Sequence, residues 1–186
     1  MSKTSAAAAK ALTSSNHFEL FGLSPAFSVD EDALEKAYRE IQSQVHPDRF
    51  AHAGDAERRA SLQWTTRVNE AFQILKNPVT RAKHILELHG VDVAFETNTQ
   101  MPTDFLMQQL ELREELERAA AQKDPALLEA IRIRLSAQSK DLEKKIQEKI
   151  DQAKDYNAAA ERVRELMFLQ KLDAEIDLAY EEIESG

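Results

Sequence analysis

A chain of 186 residues with no cysteine excludes disulfide staples and thiolate metal sites, and it is long enough to bury a core, or two small ones, without them. Four glycines and five prolines against 31% charged residues, with Ala, Leu, Glu, Gln and Lys abundant, predict an all-α protein. The formal net charge of −9 is uneven, −1 over residues 1–95 and −8 over residues 96–186; this excludes a phosphate-neutralising nucleic-acid surface and suits a partner with a basic face.

Residues 1–16 are rich in Ser and Ala. They lack both the apolar core of a secretory signal and the arginines of a mitochondrial presequence, so they read as a flexible terminus. No run of 18 apolar residues offers a membrane span. The lack of cysteine fits a reducing compartment, and a cytoplasmic location is expected.

A short aromatic helix over residues 17–23 packs Phe18, Phe21 and Leu23, and Gly22 with Pro25 ends it. Ser28 with Glu31 has capping-box spacing and Asp30 is a rival N-cap for the next helix. Over residues 30–45 that helix is amphipathic: Leu34, Ala37, Tyr38, Ile41 and Val45 share one face, and Lys36, Arg39, Ser43 and His46 the opposite one. Pro47 lacks a donor and pushes His46 out of helical geometry, so the helix stops there. His46-Pro47-Asp48 is then a rigid exposed corner. It presents an imidazole and a carboxylate with no nucleophile or second base nearby in sequence, which suits docking better than catalysis.

Residues 49–55 read as a loop. A return helix follows with Trp64, Val68, Ala71, Phe72 and Leu75 at core spacing, antiparallel to its predecessor. Asn77-Pro78 stops it and opens a fourth helix with Ile85, Leu86 and Leu88 apolar and Gly90 as its C′ residue. Periodicity lapses over residues 91–102, which read as a linker between two domains. Three helical runs follow, over about residues 103–122, from Asp124-Pro125 onward, and over about residues 158–184. The middle run stripes Leu128, Ile131, Leu135, Leu142, Ile146 and Ile150, and the last Val163, Leu166, Leu169, Leu172, Ile176, Ala179 and Ile183. One apolar stripe each predicts a three-helix bundle.

The first bundle helix carries more apolar surface than one core needs. With Phe105 at 0° on a helical wheel, Leu112 and Leu116 lie within about 20° of it, whereas Leu106, Leu110 and Met107 lie near 100°, 140° and 200°, accompanied by Glu111, Glu114 and Glu117. By pattern alone this second strip is either a partner site rimmed by acids or a face packed on the third bundle helix or the first domain.

The short aromatic helix, the helix with Lys36, Tyr38 and Arg39, the tripeptide His46-Pro47-Asp48 and the return helix with Val68-Asn69-Glu70-Ala71-Phe72, in this order and spacing, resemble a J-domain. The stretch from Phe105 to Leu116 resembles the corresponding helix of HscB-type J-domain co-chaperones of iron–sulfur cluster assembly. The resemblance implies a J-domain over residues 17–90 and a scaffold-binding bundle over residues 103–186. It also implies docking of His46, Pro47, Asp48, Lys36, Arg39 and Arg49 on a DnaK/HscA-type ATPase chaperone. Leu106, Met107, Leu110, Glu111, Glu114 and Phe168 would then receive an IscU-type scaffold. Arg118 stands where family members carry a further acid. No cofactor, metal or enzymatic activity is implied. A small metallohydrolase built on His46, Asp48 and His52 is a weaker reading, because the three straddle a loop and His84 and His89 do not share a helix face. A general J-domain holdase or helical adaptor without an iron–sulfur client is the runner-up.

Overall fold

The computed structural model describes residues 16–93 and 101–185, all helices and connecting turns, with no strand among the described residues. Apart from Asn16, the terminus expected to be flexible lies outside them, as does most of the expected linker. The chain divides into two compact units, Met1–Leu88 and His89–Gly186.

The first unit holds α1 (His17–Phe21), α2 (Glu31–Val45), α3 (Asp55–Lys76) and α4 (Pro78–Leu88). Three of these start where a short polar side chain takes up an orphan helical N–H. Oδ1 of Asn16, Asp30 and Asn77 accepts from the amides of Glu19, Ala33 and Val79 at 2.9, 3.0 and 2.9 Å. Asp30, rather than Ser28, is therefore the cap of α2. Gly22 ends α1 at φ 72°, a conformation that costs any residue with a Cβ.

α2 and α3 form an antiparallel hairpin. The Tyr38 ring stacks on Phe72 at 4.1 Å between centroids, and its hydroxyl donates to Asn69 Oδ1 at 3.1 Å while accepting from Gln42 Nε2 at 2.9 Å. Leu34, Val45, Val68, Ala71 and Leu75 are buried with Phe18 and Leu20 of α1 and Ile85 and Leu86 of α4. Fully burying such a side chain contributes about 1.5–3 kcal/mol. Leu88, read as an apolar-face residue, is exposed because α4 ends on it. Arg81 is buried instead. Its guanidinium donates to the Leu75 carbonyl at 2.8 Å and lies 5.1 Å over the Phe27 ring, so the charge goes inside by satisfying a carbonyl near the end of α3. The loop expected over residues 49–55 is shorter: Pro47–Phe50 forms a 3-10 turn, and α3 already begins at Asp55.

The second unit is a bundle of α5 (Thr103–Ala121), α6 (Pro125–Gln147) and α7 (Tyr156–Ser185), with a π-helical turn over Glu148–Ala153 after α6. The α5–α6 turn closes with Lys123 left-handed at φ 50° and the Asp124 amide donating to Ala119 O at 3.0 Å. Asp124 then caps α6, and Pro125 fills the first helical position. Asp155 caps α7 by accepting from Ala158 N at 3.1 Å, which starts this helix earlier than the apolar pattern alone predicts. Every residue of the two predicted stripes is buried except Ile183, near the end of α7 and half-buried. Polar pairs fix the directions: Arg132 of α6 meets Asp173 and Asp177 of α7, and Tyr180 meets Pro125 and Glu129, so these helices are antiparallel. Phe105 meets Phe168 and Arg113 meets Glu175, so α5 runs parallel to α7. Val93, inside the stretch read as linker, is buried in this unit, and its carbonyl accepts from Arg164 at 3.0 Å.

Candidate functional site

At the end of α2, His46 leaves the helix at φ −57° and ψ 132°, the extended conformation that a residue before proline prefers. Pro47 opens the 3-10 turn, in which Arg49 N–H donates to His46 O at 3.1 Å and Ala51 N–H to Asp48 O at 3.3 Å. The Asp48 amide donates to His46 Nδ1 at 3.3 Å, and Asp48 Oδ2 stands 3.5 Å from that nitrogen. The imidazole is thus held over the turn, yet the His46 and Asp48 side chains remain 48% and 90% exposed. Arg49 folds back so that Nη1 donates to Ser43 O at 3.0 Å, closing one of the carbonyls left open at the C-terminus of α2.

Lys36 and Arg39 are exposed on the face of α2 that leads to His46. Arg39 pairs with Glu35 at 2.8 Å, and Lys76 of α3 reaches the same carboxylate at 3.5 Å. Lys76 is a cation of this surface that the α2 pattern does not reveal, because it arrives from a helix distant in sequence. A face of exposed cations beside a preformed imidazole–carboxylate corner has the chemistry of a docking element.

In the bundle, the orientation of α5 follows from its two bridging charges. Arg113, near 80° on the wheel, pairs with Glu175 of α7, and Glu115, near 280°, with Arg134 of α6. The Arg134 hydrogen bond holds the Glu115 carboxyl below its usual range. The neighbouring helices therefore cover the arc through 0°, where Leu112, Leu116 and Ala119 are buried, and leave the opposite arc open. That open arc holds Leu106, Met107 and Leu110, exposed by 43%, 55% and 53%, together with exposed Glu111, Glu114, Glu117 and Arg118. Phe168 of α7 is half-buried, edge-on to Phe105 at 6.2 Å and 5.9 Å from the Arg113 guanidinium carbon, and so flanks α5 on the side next to Leu106. Phe105, assigned to the core stripe by its spacing, is itself only half-buried. A cavity of about 530 Å3 at this end of the bundle is lined by Asp104, Gln108, Gln138 and Glu165, the last pushed up in pKa by burial. Gln108 and Asp104 place it on the flank of α5 away from Leu106 and Leu110.

The histidines outside the corner loop are held in ring contacts: the His84 ring packs against His17 at 4.3 Å, and His89 stacks on Tyr156 at 3.8 Å. Among the described residues, no group of three His, Asp or Glu side chains is arranged to hold a metal ion. No helix among them is long and apolar enough to cross a membrane.

Residues 16–84 match the family described as DnaJ domain, and residues 101–177 the one described as HSCB C-terminal oligomerisation domain. A co-chaperone protein HscB homolog of Azoarcus sp. (strain BH72) is 49% identical over 170 residues, 91% of this chain and 96% of that one. The chain belongs to the HscB family. A second HscB homolog, from Burkholderia thailandensis, is 48% identical and covers the same shares, 91% and 96%. Among solved structures, HscB from Vibrio cholerae shares 36% identity at a TM-score of 0.77, covering 90% of this chain and 99% of its own. Human HscB shares 26% identity at a TM-score of 0.83, covering 89% and 82%. The all-α fold, a J-domain followed by an HscB C-terminal domain, is thus that of the family.

Proposed function

We propose that this HscB-family chain is a co-chaperone of iron–sulfur protein maturation. Its J-domain docks on a DnaK/HscA-type chaperone and stimulates its ATPase, while its bundle delivers an IscU-type scaffold as client. The observation that carries the reading is the preformed corner: the Asp48 amide donates to His46 Nδ1 and holds the imidazole over the turn, while both side chains stay exposed. Lys36, Arg39 and Arg49 supply steering charge, and His46, Pro47 and Asp48 the specific contacts. Glu35, shared between Arg39 and Lys76, dilutes the field, which suits a dedicated partner better than a promiscuous one. For the scaffold, Leu106, Met107 and Leu110 are the apolar anchors, Glu111 and Glu114 the rim, and Phe168 the flank. The chain regulates another protein's chemistry and performs none of its own.

The deciding experiment measures the ATPase rate of an HscA-type chaperone with this protein, with the scaffold, and with both. Stimulation by this protein that His46→Gln or Asp48→Asn abolishes, with a larger rate when the scaffold is added, supports the proposal. No stimulation would leave the general holdase or helical adaptor as the better reading.

A further inference from the structure

Val45 is the last residue of α2 and is fully buried, and its carbonyl is one of the four that an α-helix leaves without an intrahelical donor. In a continuing helix the Arg49 amide would serve it. Here that amide donates to His46 O instead, at 3.1 Å, and Pro47 has no N–H to offer. The carbonyl is satisfied from across the hairpin by two hydroxyls of α3: Ser61 Oγ donates at 2.7 Å and Thr65 Oγ1 at 3.2 Å. Ser61 is 0% exposed, the one buried Ser, Thr or Asn side chain among the described residues, and Thr65, one turn further along α3, is half-buried.

The Val45 carbonyl shares its peptide plane with the amide nitrogen of His46. Two donors converging on one oxygen restrain the rotation of that plane, and with it the direction in which His46 Cα and the turn after it depart. We infer that Ser61 and Thr65 are positioning residues for the His46-Pro47-Asp48 corner: their hydroxyls clamp the Val45 carbonyl and set how the corner is presented to the chaperone. The inference rests on the docking reading above for its functional consequence, but not for its geometry. Neither hydroxyl need touch the partner. A loosened corner samples the docking-competent arrangement for a smaller fraction of the time, so apparent affinity falls in proportion while the plateau reached at saturation is kept.

The test uses the full chain with Ser61→Ala/Thr65→Val, which removes both hydroxyls at nearly constant shape, and Ser61→Ala/Thr65→Ser, which restores one. Circular dichroism at the assay temperature first establishes that each variant is folded. For Ser61→Ala/Thr65→Val, the concentration giving half-maximal ATPase stimulation should rise about tenfold, equivalent to about 1.4 kcal/mol, at an unchanged plateau. Ser61→Ala/Thr65→Ser should recover most of that loss. A second readout needs no partner: exchange of the Asp48 amide, which donates to His46 Nδ1, should accelerate in the first variant and less in the second. A folded Ser61→Ala/Thr65→Val chain with wild-type half-maximal concentration and wild-type Asp48 exchange would overturn the inference. If the double variant does not fold, the single variants Ser61→Ala and Thr65→Val decide by the same two readouts, and a wild-type result in both overturns it. A wild-type protein that stimulates no chaperone defeats the docking reading instead, and the exchange measurement still judges the clamp.

Discussion

The backbone amide of His17, at the start of α1, donates to Nε2 of His84 on α4 at 3.3 Å, and the two imidazole rings lie 4.3 Å apart. Burial, with the neighbouring His17 adding to it, lowers the His84 pKa to about 4; burial followed by Arg67 lowers that of His17, against weaker opposition from Glu70 and Glu87. Both rings are therefore held neutral in the fold, and a protonated Nε2 cannot accept the amide.

The expected consequence is a first unit that loses stability as the pH falls. A histidine with a lowered folded pKa contributes its full stability above the unfolded value near 6.5 and loses it as pH falls toward the folded value of about 4, because only the unfolded chain takes up the proton in that window. Denaturant melts of the full chain at pH 7.5 and pH 5 should differ by about 1–3 kcal/mol in the transition of the first unit. His84→Gln, uncharged at both values, should flatten that difference.

The cations near the corner should separate by salt dependence. Lys36→Ala and Arg39→Ala should each weaken chaperone stimulation in part, and mainly at low ionic strength, since exposed charges act over a screened range. Their loss should change melting by less than about 1 kcal/mol. Arg49→Ala should differ, because its guanidinium also closes the Ser43 carbonyl: part of its loss should persist at high salt. Salt-independent losses for Lys36 and Arg39 would make them structural instead.

On the outer arc of α5, changing Leu106, Met107 and Leu110 together to Ala should leave the melting temperature nearly unchanged, because all three are already exposed. Scaffold affinity should fall by several kcal/mol in the manner of interface anchors, as read by calorimetry. A large drop in melting temperature with binding intact would reject the arc as a partner face. The matched family is described as an oligomerisation domain, so sedimentation of the same variant shows whether the arc also takes a second copy.

Two lysines mark where stability can be raised. Lys123 and Lys154 sit at helix ends with φ of 50° and 55°, where a Cβ is strained and glycine is not. Lys123→Gly and Lys154→Gly should each stabilise the bundle by about 0.5–1 kcal/mol, after allowance for the extra freedom glycine has in the unfolded chain. Thermal melts of the two single variants check this.

Local rules carried much of the architecture. The apolar stripes of α6 and α7 are legible at helical spacing, since burial of one face is what makes such a helix stable, and all but Ile183 of those positions are buried. Pro47 stops α2 for reasons contained in its own ring, and Asp30, Asn77 and Asp124 announce helix starts by their side chains. The Leu112 and Leu116 strip of α5 reads as core from its spacing, but whether the second strip, with Leu106, Met107 and Leu110, packs inside or faces out was not determined by the sequence, because a helical wheel allows either. The neighbours decided it, through Glu175 bridging to Arg113 on one flank and Arg134 to Glu115 on the other. The clamp on Val45 and the His17–His84 contact were equally invisible, for they join residues that sequence separation hides and only packing brings within hydrogen-bond distance. Periodicity reports which face a helix must bury; what it is buried against, and which carbonyl finds which donor there, is set by the tertiary structure alone.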